Sequence, residues 1–310
     1  MESISLHAGL ASEIAARLGE ANVRLDEPMS EHTTFRIGGS ADVYCEPGSV
    51  DEIRFVVNAC RQAGAPLHIM GRGSDLLIAD AGLRGVVLRL GPRFSTVKVD
   101  GCDVFATSGA ANSHVGEVAA KHSLAGFEFA CGIPGTIGGA AIMNAGAYGG
   151  EFSQICVDLI CLDAQGDFVG VPREDAAWSY RHSMMDEEGL LILQAHLVLE
   201  PGSERDIRSR MLELAFKRRE KQPLEMPSAG STFKRPEGGY ASKLIDDAGL
   251  RGLSVGGAQV SRKHTGFIVN TGGATAQDVR MLIDQVRQRV EERFGVDLQP
   301  EVRMWGFGEE

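Results

Sequence analysis

The chain has 310 residues, enough for two packed modules or one large module with a lobe. Its net charge is −11, from 31 Lys and Arg against 42 Asp and Glu, so the chain as a whole is repelled by a phosphate backbone, which argues against general nucleic-acid binding. Hydrophobic residues make up 43% and no window approaches 18 uninterrupted apolar residues, a globular composition with nothing that spans a membrane.

The N-terminus, "MESISLHAGLASEIAARLGE", lacks a cationic start followed by an apolar run, so no signal peptide is expected and a cytoplasmic protein is the default. Residues 10–19 read as a short helix. "SVDEIRFVVNACRQAGAPL" predicts a helix with Ser49 as N-cap, Ile53, Val56, Val57 and Cys60 on one face, and Gly64 at its end. "LHIMG" (67–71) follows as a buried strand that runs into the glycine loop "GRGSD" (71–75). The order is helix, strand, loop, whereas a Rossmann unit needs strand, glycine loop, helix and a later acidic residue. Strands are expected at "GVVLRL", "STVKVD" and "DVFATSGA", and a second amphipathic helix over residues 112–125. "ICVDLICLDAQGDFVGV" reads as a hairpin turning at Gln165-Gly166, and "LLILQAHLVLE" as another strand. Pro201 and Gly202 break the pattern. Beyond them come a helix capped by Ser203, a short helix ending at Gly249, and a long amphipathic helix with Val279, Leu282, Ile283, Val286, Val290 and Phe294 on one face and Gly295 at its end. "LQPEVRMW" is expected to be a strand. The six cysteines are scattered without a C-x-x-C pair, so no zinc ribbon or other metal site is suggested and reduced, half-buried thiols are expected.

The 39 glycines are the anomaly of composition, and they cluster. "GRGSD" could present backbone N–H groups to a diphosphate, or be a plain turn. "CGIPGTIGGAAIMNAGAYGG" suits a backbone surface against a flat or charged ligand, because so many glycines are costly in any regular element. "HTTFRIGG" places Thr33, Thr34 and Arg36 before Gly38, with a capped turn as the alternative. In "WSYRHS", Arg181 could grip a carboxylate or phosphate in a bidentate fork, or simply face water beside Tyr180 and His182. Glu301 lies in a mostly apolar predicted strand. Buried there it would stay protonated and act as an acid or hydrogen-bond donor; the alternative is an edge glutamate facing water. "KRREK" (217–221) reads as a solvated helix end. Ser231, in "PSAGSTFKRP", has no histidine nearby and no G-x-S-x-G spacing, so it is a poor nucleophile.

In order and with suitable spacing, "HTTFRIGG", "GRGSDLLI", "GIPGTIGGAAIMNAGAYGGE", "SYRHS", "PSAGSTFKRP", "KLIDDAGLRG", "HTGFIVNTGGATAQDV" and "PEVRMWG" resemble the UDP-N-acetylenolpyruvoylglucosamine reductase family over roughly residues 30–306. The resemblance implies an α+β chain. A vanillyl-alcohol-oxidase (PCMH) type FAD-binding module would occupy residues 31–200, with subdomains of about 31–82 and 83–200, after an N-terminal helical segment (1–30). A smaller substrate-binding lobe would follow at 206–310. It implies non-covalent FAD, NADPH as hydride donor, a UDP-sugar substrate and no obligate protein partner. It assigns Ser231 as proton donor to C2 of the enolpyruvyl group, with Arg181 and Glu301 flanking the substrate carboxylate. Thr34, Arg36, Gly38 and the loop Gly71, Arg72, Gly73, Ser74 and Asp75 would meet the pyrophosphate and ribityl chain. Gly132, Gly135, Thr136, Gly138, Gly139 and Asn144 would line the pyrophosphate and isoalloxazine, and Tyr180 and Lys234 would contact substrate. Asp75 departs from the family's usual Asn and Arg235 from the Asn of some members. The tyrosine-bearing insertion of longer members is absent, which suggests the shorter branch. An oxidase of the same fold acting on an alcohol or lactone would share the glycine loops without needing Ser231, Arg181 and Glu301 together, and a flavin- or nucleotide-binding regulator would need none of the three.

Overall fold

The computed structural model describes residues 2–308, over which helices and strands are mixed. In chain order the first stretch contains α1 (Glu2–Leu18), β1 (Val23–Pro28), β2 (Ser40–Cys45), α2 (Val50–Ala63), β3 (Leu67–Met70), β4 (Leu76–Ile78) and β5 (Leu83–Arg89). Next come β6 (Val97–Asp100), β7 (Asp103–Thr107), α3 (Asn112–Lys121), β8 (Leu124–Ala125) and α4 (Ile137–Ile142). They are followed by β9 (Gly146–Ala147), β10 (Gly150–Glu151), β11 (Cys156–Leu162), β12 (Phe168–Pro172), α5 (Met184–Glu187), β13 (Leu191–Val198) and β14 (Glu200–Pro201). The last stretch holds α6 (Glu204–Lys221), α7 (Ala241–Asp247), β15 (Ser254–Val255), β16 (Ala258–Val260), β17 (Ile268–Asn270), α8 (Ala276–Phe294) and β18 (Arg303–Trp305).

The chain divides into two compact units. The first comprises the chain up to Leu25, Asp42–Arg72 and Gly85–Arg218; the second comprises Asp26–Ala41, Gly73–Arg84 and the chain from Arg219 onward.

The first unit has two hydrophobic cores. One lies on the four-stranded sheet of order β1-β2-β5-β3 and gathers Ile14, Val43, Ile53, Val56, Val86 and Leu88. α2 is built as its sequence dictates. Ser49 Oγ accepts from Glu52 N at 3.2 Å, and Gly64 closes the helix in the left-handed region, where glycine carries no Cβ penalty. β5 belongs to this sheet and pairs in parallel with β3, so residues 83–89 lie with the first sheet. The second core lies under an antiparallel sheet of order β12-β11-β13-β7-β6 and gathers Val104, Val115, Phe127, Ile137, Phe152, Leu159 and Leu197. The hairpin between β11 and β12 turns through Gln165 and Gly166 as expected. The helix expected over 112–125 stops at Lys121. Ser123 takes a left-handed φ of 56°, and Leu124–Ala125 becomes β8, paired with β14. All six cysteines are free, and burial pushes the thiols of Cys60, Cys131, Cys156 and Cys161 up to about 12. Such thiols are inert in redox exchange.

In the second unit α8 packs Val279, Leu282, Ile283, Val286 and Val290 into one core with Phe35, Leu77, Ile245 and Val260. Phe294, expected on the same face, is 37% exposed because it sits in the last turn. α8 is capped twice. Thr275 and Asp278 form a capping box, and the Asp80 carboxylate accepts from Ala276 N (2.8 Å) and Gln277 N (3.1 Å). Gly39 and Gly82 are required by close approach: Gly39 N donates to Ala79 O, and a Cβ on Gly82 would collide with the Ser40 carbonyl. The terminal strand is shorter than expected. Only Arg303–Trp305 is extended, paired in parallel with β4, and Glu301 lies before it.

His196, on β13, is clamped between two carboxylates. Its Nε2 lies 2.6 Å from Asp103 on β7 and its Nδ1 2.9 Å from Asp158 on β11, with the ring stacked on Phe105. Only the imidazolium can donate to both. Desolvation opposes the charge, but the hydrogen bonds and charges of the two carboxylates win and raise the His196 pKa. A pKa raised on folding stabilises fully below the unfolded value, about 6.5, and the stabilisation is lost as pH rises through the folded value. The Tm difference between wild type and His196→Gln is therefore expected to be greatest near pH 6 and to shrink above it; a difference that grows with pH would contradict the clamp.

Candidate active site

In the second unit, Ser231 sits at the start of a short extended segment pinned on both sides. Thr232 N donates to Gly266 O (2.8 Å), and Thr232 O accepts from Glu301 N (2.8 Å). Phe233 bridges Pro300, and Lys234 N donates to Gln299 O (2.8 Å). Residues 232–234 thus run antiparallel to 299–301, which makes Ser231 and Glu301 neighbours although they are 70 positions apart in the chain. The Thr232 side chain locks the register. It is 2% exposed, and its hydroxyl accepts from Ile268 N at 3.0 Å. Upstream, Gly230 has a φ of 79°, which turns the chain into this segment, and Pro227 O accepts from Asn270 N. Ser231 itself is exposed, and among the described residues its hydroxyl has no hydrogen-bond partner. Lys234 and Glu301 are half-buried. Glu301 therefore lies outside the terminal strand in which the sequence placed it, and of the two environments left open it has neither full burial nor full exposure.

The same unit holds part of the expected cofactor set. Thr34 N donates to Gly73 O (3.1 Å), and Thr34 Oγ1 donates to Ser228 O (2.7 Å). The threonine hydroxyl is thus spent on the segment leading to Ser231. Arg36 is exposed in a left-handed conformation (φ 55°) within a turn closed by Thr33, whose hydroxyl bonds Ile37. Gly38 packs against Ile78 and Met29. Asp75 O accepts from Arg303 N, while Ser74 and Asp75 form a turn.

In the first unit, the loop 131–139 is held from behind by Asn112 and the end of β7. Asn112 Nδ2 donates to Ile133 O (3.2 Å), Asn112 N to Gly135 O (3.3 Å), and Gly138 N to Ser108 O (2.9 Å). Gly132 and Gly139 are exposed, whereas Thr136 is buried. A Cβ on Gly71 would collide with the Thr136 hydroxyl, so the backbone of Gly71 packs directly on the Thr136 side chain. Among the described residues, Ser108 Oγ and Asn112 Oδ1 are buried without a hydrogen-bond partner beside this loop. Exposed glycine backbone over orphaned polar atoms fits a large polar cofactor lying on the loop.

Asn144, expected to touch the cofactor, is 2% exposed and acts as a brace. Its Nδ2 donates to Ser179 O (3.2 Å), and its Oδ1 accepts from Ser153 N (2.9 Å). Ser179 bridges His182 across a tight turn, so this brace fixes the loop that presents Arg181. Arg181 has a φ of 55° and lies 4.9 Å over the ring of Tyr180, which is 48% exposed. Trp178 secures the other side of the loop, donating from Nε1 to Ala141 O. "KRREK" is not wholly a solvated helix end. Arg218 turns inward and donates to Gly132 O, while Lys217 pairs with Glu213 on the helix surface. No periodicity announces this, because α6 has only Ile207 and Leu214 buried. Among the described residues, no group of three or more His, Cys, Asp and Glu could hold a metal ion, and no helix is long and apolar enough to cross a membrane.

Comparison with known proteins is consistent over the whole chain. Residues 222–305 match the family described as UDP-N-acetylenolpyruvoylglucosamine reductase, C-terminal domain, and residues 41–171 match the FAD binding domain family. The chain is 47% identical over 297 residues to the UDP-N-acetylenolpyruvoylglucosamine reductase of Caldanaerobacter subterraneus subsp. tengcongensis, covering 96% of this chain and 98% of that protein. It is 48% identical over 305 residues to the protein of the same name from Agathobacter rectalis, covering 94% and 97%. The crystal structure of UDP-N-acetylenolpyruvylglucosamine reductase from Thermus caldophilus superposes with a TM-score of 0.78 at 33% identity, over 91% of this chain and 98% of that one. A 4-ethylphenol oxidase from Gulosibacter chungangensis, 19% identical, shares the fold over 64% of this chain and 43% of its own with a TM-score of 0.50.

Thr232→Val keeps the shape of the side chain and removes the acceptor for Ile268 N. An unmet buried donor costs about 1–3 kcal/mol, so urea unfolding of this variant should show a loss of that size, with the flavin content of the folded protein unchanged.

Proposed function

Because the chain belongs to the UDP-N-acetylenolpyruvoylglucosamine reductase family, with 47% identity over 96% of its length to one member, we propose that it reduces UDP-N-acetyl-3-O-(1-carboxyvinyl)-glucosamine to UDP-N-acetylmuramate at the expense of NADPH. The enzyme is an FAD-dependent oxidoreductase with a PCMH-type cofactor module. Residues 31–200 serve the cofactor and residues 206–310 the substrate.

FAD would be held by the backbone of Gly71–Gly73 and of Gly132, Gly135, Gly138 and Gly139, together with Thr136, Arg36, Gly38, Ser74 and Asp75. Thr34 and Asn144 act one step removed, through the segments they brace. When bound, FAD supplies the two-electron relay from NADPH to C3 of the enolpyruvyl group. The residues of the chain then manage the negative charge left at C2 and spread into the adjacent carboxylate. Arg181, its fork oriented by the Tyr180 ring and its loop fixed by Asn144, meets that carboxylate in two parallel hydrogen bonds. Glu301 flanks the same carboxylate. Ser231 passes its hydroxyl proton to C2 as general acid. A serine that gives a proton needs reach and orientation rather than a base beside it. Lys234 and Tyr180 contact the substrate, Lys234 either at its diphosphate or beside Ser231.

The observation that carries the reading is the Thr232–Glu301 backbone hydrogen bond, which brings the segment with the exposed Ser231 alongside the segment with the half-buried Glu301. The product is a peptidoglycan precursor. The reading therefore places the enzyme in cell-wall biogenesis in the cytoplasm, and through it in cell shape, division and the cell cycle, with no obligate protein partner.

Purified protein should be yellow, and its NADPH oxidation should depend on the enolpyruvyl sugar nucleotide rather than on oxygen alone. Ser231→Ala is expected to keep flavin reduction by NADPH while flavin reoxidation by substrate falls about 10²–10⁴-fold, the usual worth of a general acid. Equal losses in the two half-reactions, measured by stopped-flow absorbance, would remove Ser231 from the proton-donor role. Glu301→Gln, which keeps a hydrogen-bonding group of the same shape, should be milder than Glu301→Ala.

A further inference from the structure

The segment that leads into Ser231 is fastened to an outer strand. β17 lies at one end of the three-stranded sheet β15-β16-β17. Two of its N–H groups go to residues 227–232 instead of to β16: Ile268 N donates to Thr232 Oγ1 (3.0 Å) and Asn270 N to Pro227 O (2.9 Å). Asn270, the last residue of β17, also acts through its side chain, which is buried with 8% exposure for the residue. Its Oδ1 accepts from Gly272 N (2.9 Å) and Ala274 N (3.2 Å), and its Nδ2 donates to Phe35 O (3.1 Å). Only this orientation of the amide suits all three partners, because two are donors and one is an acceptor. One residue therefore grips Pro227, four positions before Ser231, and Phe35, 235 positions away in the chain.

Thr34 adds a parallel tie, donating from Oγ1 to Ser228 O (2.7 Å). Residues 34–35 are thus laced to 227–228 by two side chains. The Phe35 carbonyl belongs to the peptide that precedes Arg36. Arg36 is left-handed (φ 55°) and donates its N–H to Thr33 O (3.1 Å). A non-glycine residue stays in that region because its surroundings hold it there. The Asn270 amide is one of the groups that do so.

We propose that Asn270 is a positioning residue for the proton-transfer step, acting with Thr34 to fix Ser231 relative to the turn of residues 33–37. The inference rests on the proposed function for the role of Ser231. A displaced donor hydroxyl loses its alignment with the carbon it must reach, and a misplacement of about 1 Å caused by a remote change can cost ~10²-fold. The loss falls on the half-reaction in which that proton moves.

Asn270→Asp keeps the oxygen that closes the 272–274 turn and replaces the donor facing Phe35 O by a second oxygen. In stopped-flow absorbance, the flavin-loaded variant should be reduced by NADPH at the wild-type rate. Its reoxidation by the enolpyruvyl sugar nucleotide should be slower by roughly 10- to 100-fold, with a larger solvent deuterium isotope effect. Thr34→Val should show a smaller loss of the same kind. Added to Ser231→Ala, Asn270→Asp should slow reoxidation no further, because it acts through that hydroxyl. Amide exchange of the peptide spanning 227–233, read by mass spectrometry on flavin-loaded protein, should quicken in both single variants. Equal slowing of the two half-reactions, a full further loss on top of Ser231→Ala, or unchanged reoxidation overturns the proposal. Should Asn270→Asp fail to fold by circular dichroism, unchanged reoxidation and unchanged exchange in Thr34→Val overturn it equally. The proposed function fails separately, when wild-type protein is not reoxidised by that substrate or when Ser231→Ala slows both halves alike; unchanged amide exchange then still overturns the positioning role.

Discussion

A few backbone hydrogen bonds around Thr232 carry the arrangement of the second unit. Thr232 is bonded through its N–H to Gly266, through its carbonyl to Glu301 and through its hydroxyl to Ile268. Three segments far apart in sequence, 230–234, 266–268 and 299–301, are thereby fixed in one register. Slip that register by one residue and Ser231 would exchange faces with its buried neighbour. The core beneath, with Phe233, Ile268, Leu298 and Val302 all buried, resists the slip because every buried side chain would have to come out.

Polar side chains near the glycine loops are divided between presenting backbone and bracing it. Thr34 and Asn144 are spent on neighbouring segments, the first on the approach to Ser231 and the second on the turn that carries Arg181. This division has a physical cause. A loop whose glycines expose backbone to a ligand has little side-chain packing of its own to hold it. Hydrogen bonds from Asn112, Asn144 and Trp178 supply the rigidity instead. Arg218 is the exception, since it both braces Gly132 and brings positive charge to the loop.

Much of the fold was legible because local signals and tertiary environment agree. Ser49 and Gly64 bound α2, and Thr275 and Gly295 bound α8, since capping is local chemistry that a sequence states directly. The hairpin at Gln165-Gly166 likewise follows from turn residues between apolar runs. Where the reading missed, an interaction across the chain decided. Residues 124–125 left their helix to pair with β14, and Glu301 fell outside a terminal strand that only Arg303–Trp305 extends, alongside β4. In the site, Ser231, Arg181 and Glu301 were picked out by motif, but the bracing hydrogen bonds of Thr34 and Asn144 were not foreseen. A motif names the residue and not the direction its side chain takes. Arg218 was passed over because five charged residues in a row at a helix end look alike in sequence.

By itself the sequence determined where the capped helices α2 and α8 begin and end, where the glycine loops fall, that the topology is not Rossmann, and which family the motifs resemble. These depend on periodicity, capping and turn chemistry, all contained within a few residues. Only the tertiary structure decided that Ser231 and Glu301 are neighbours, that Asn144 serves Arg181, and that Arg218 of all the α6 cations turns inward. Each of these rests on hydrogen bonds between residues 35 to 86 positions apart, whose partners no local pattern specifies.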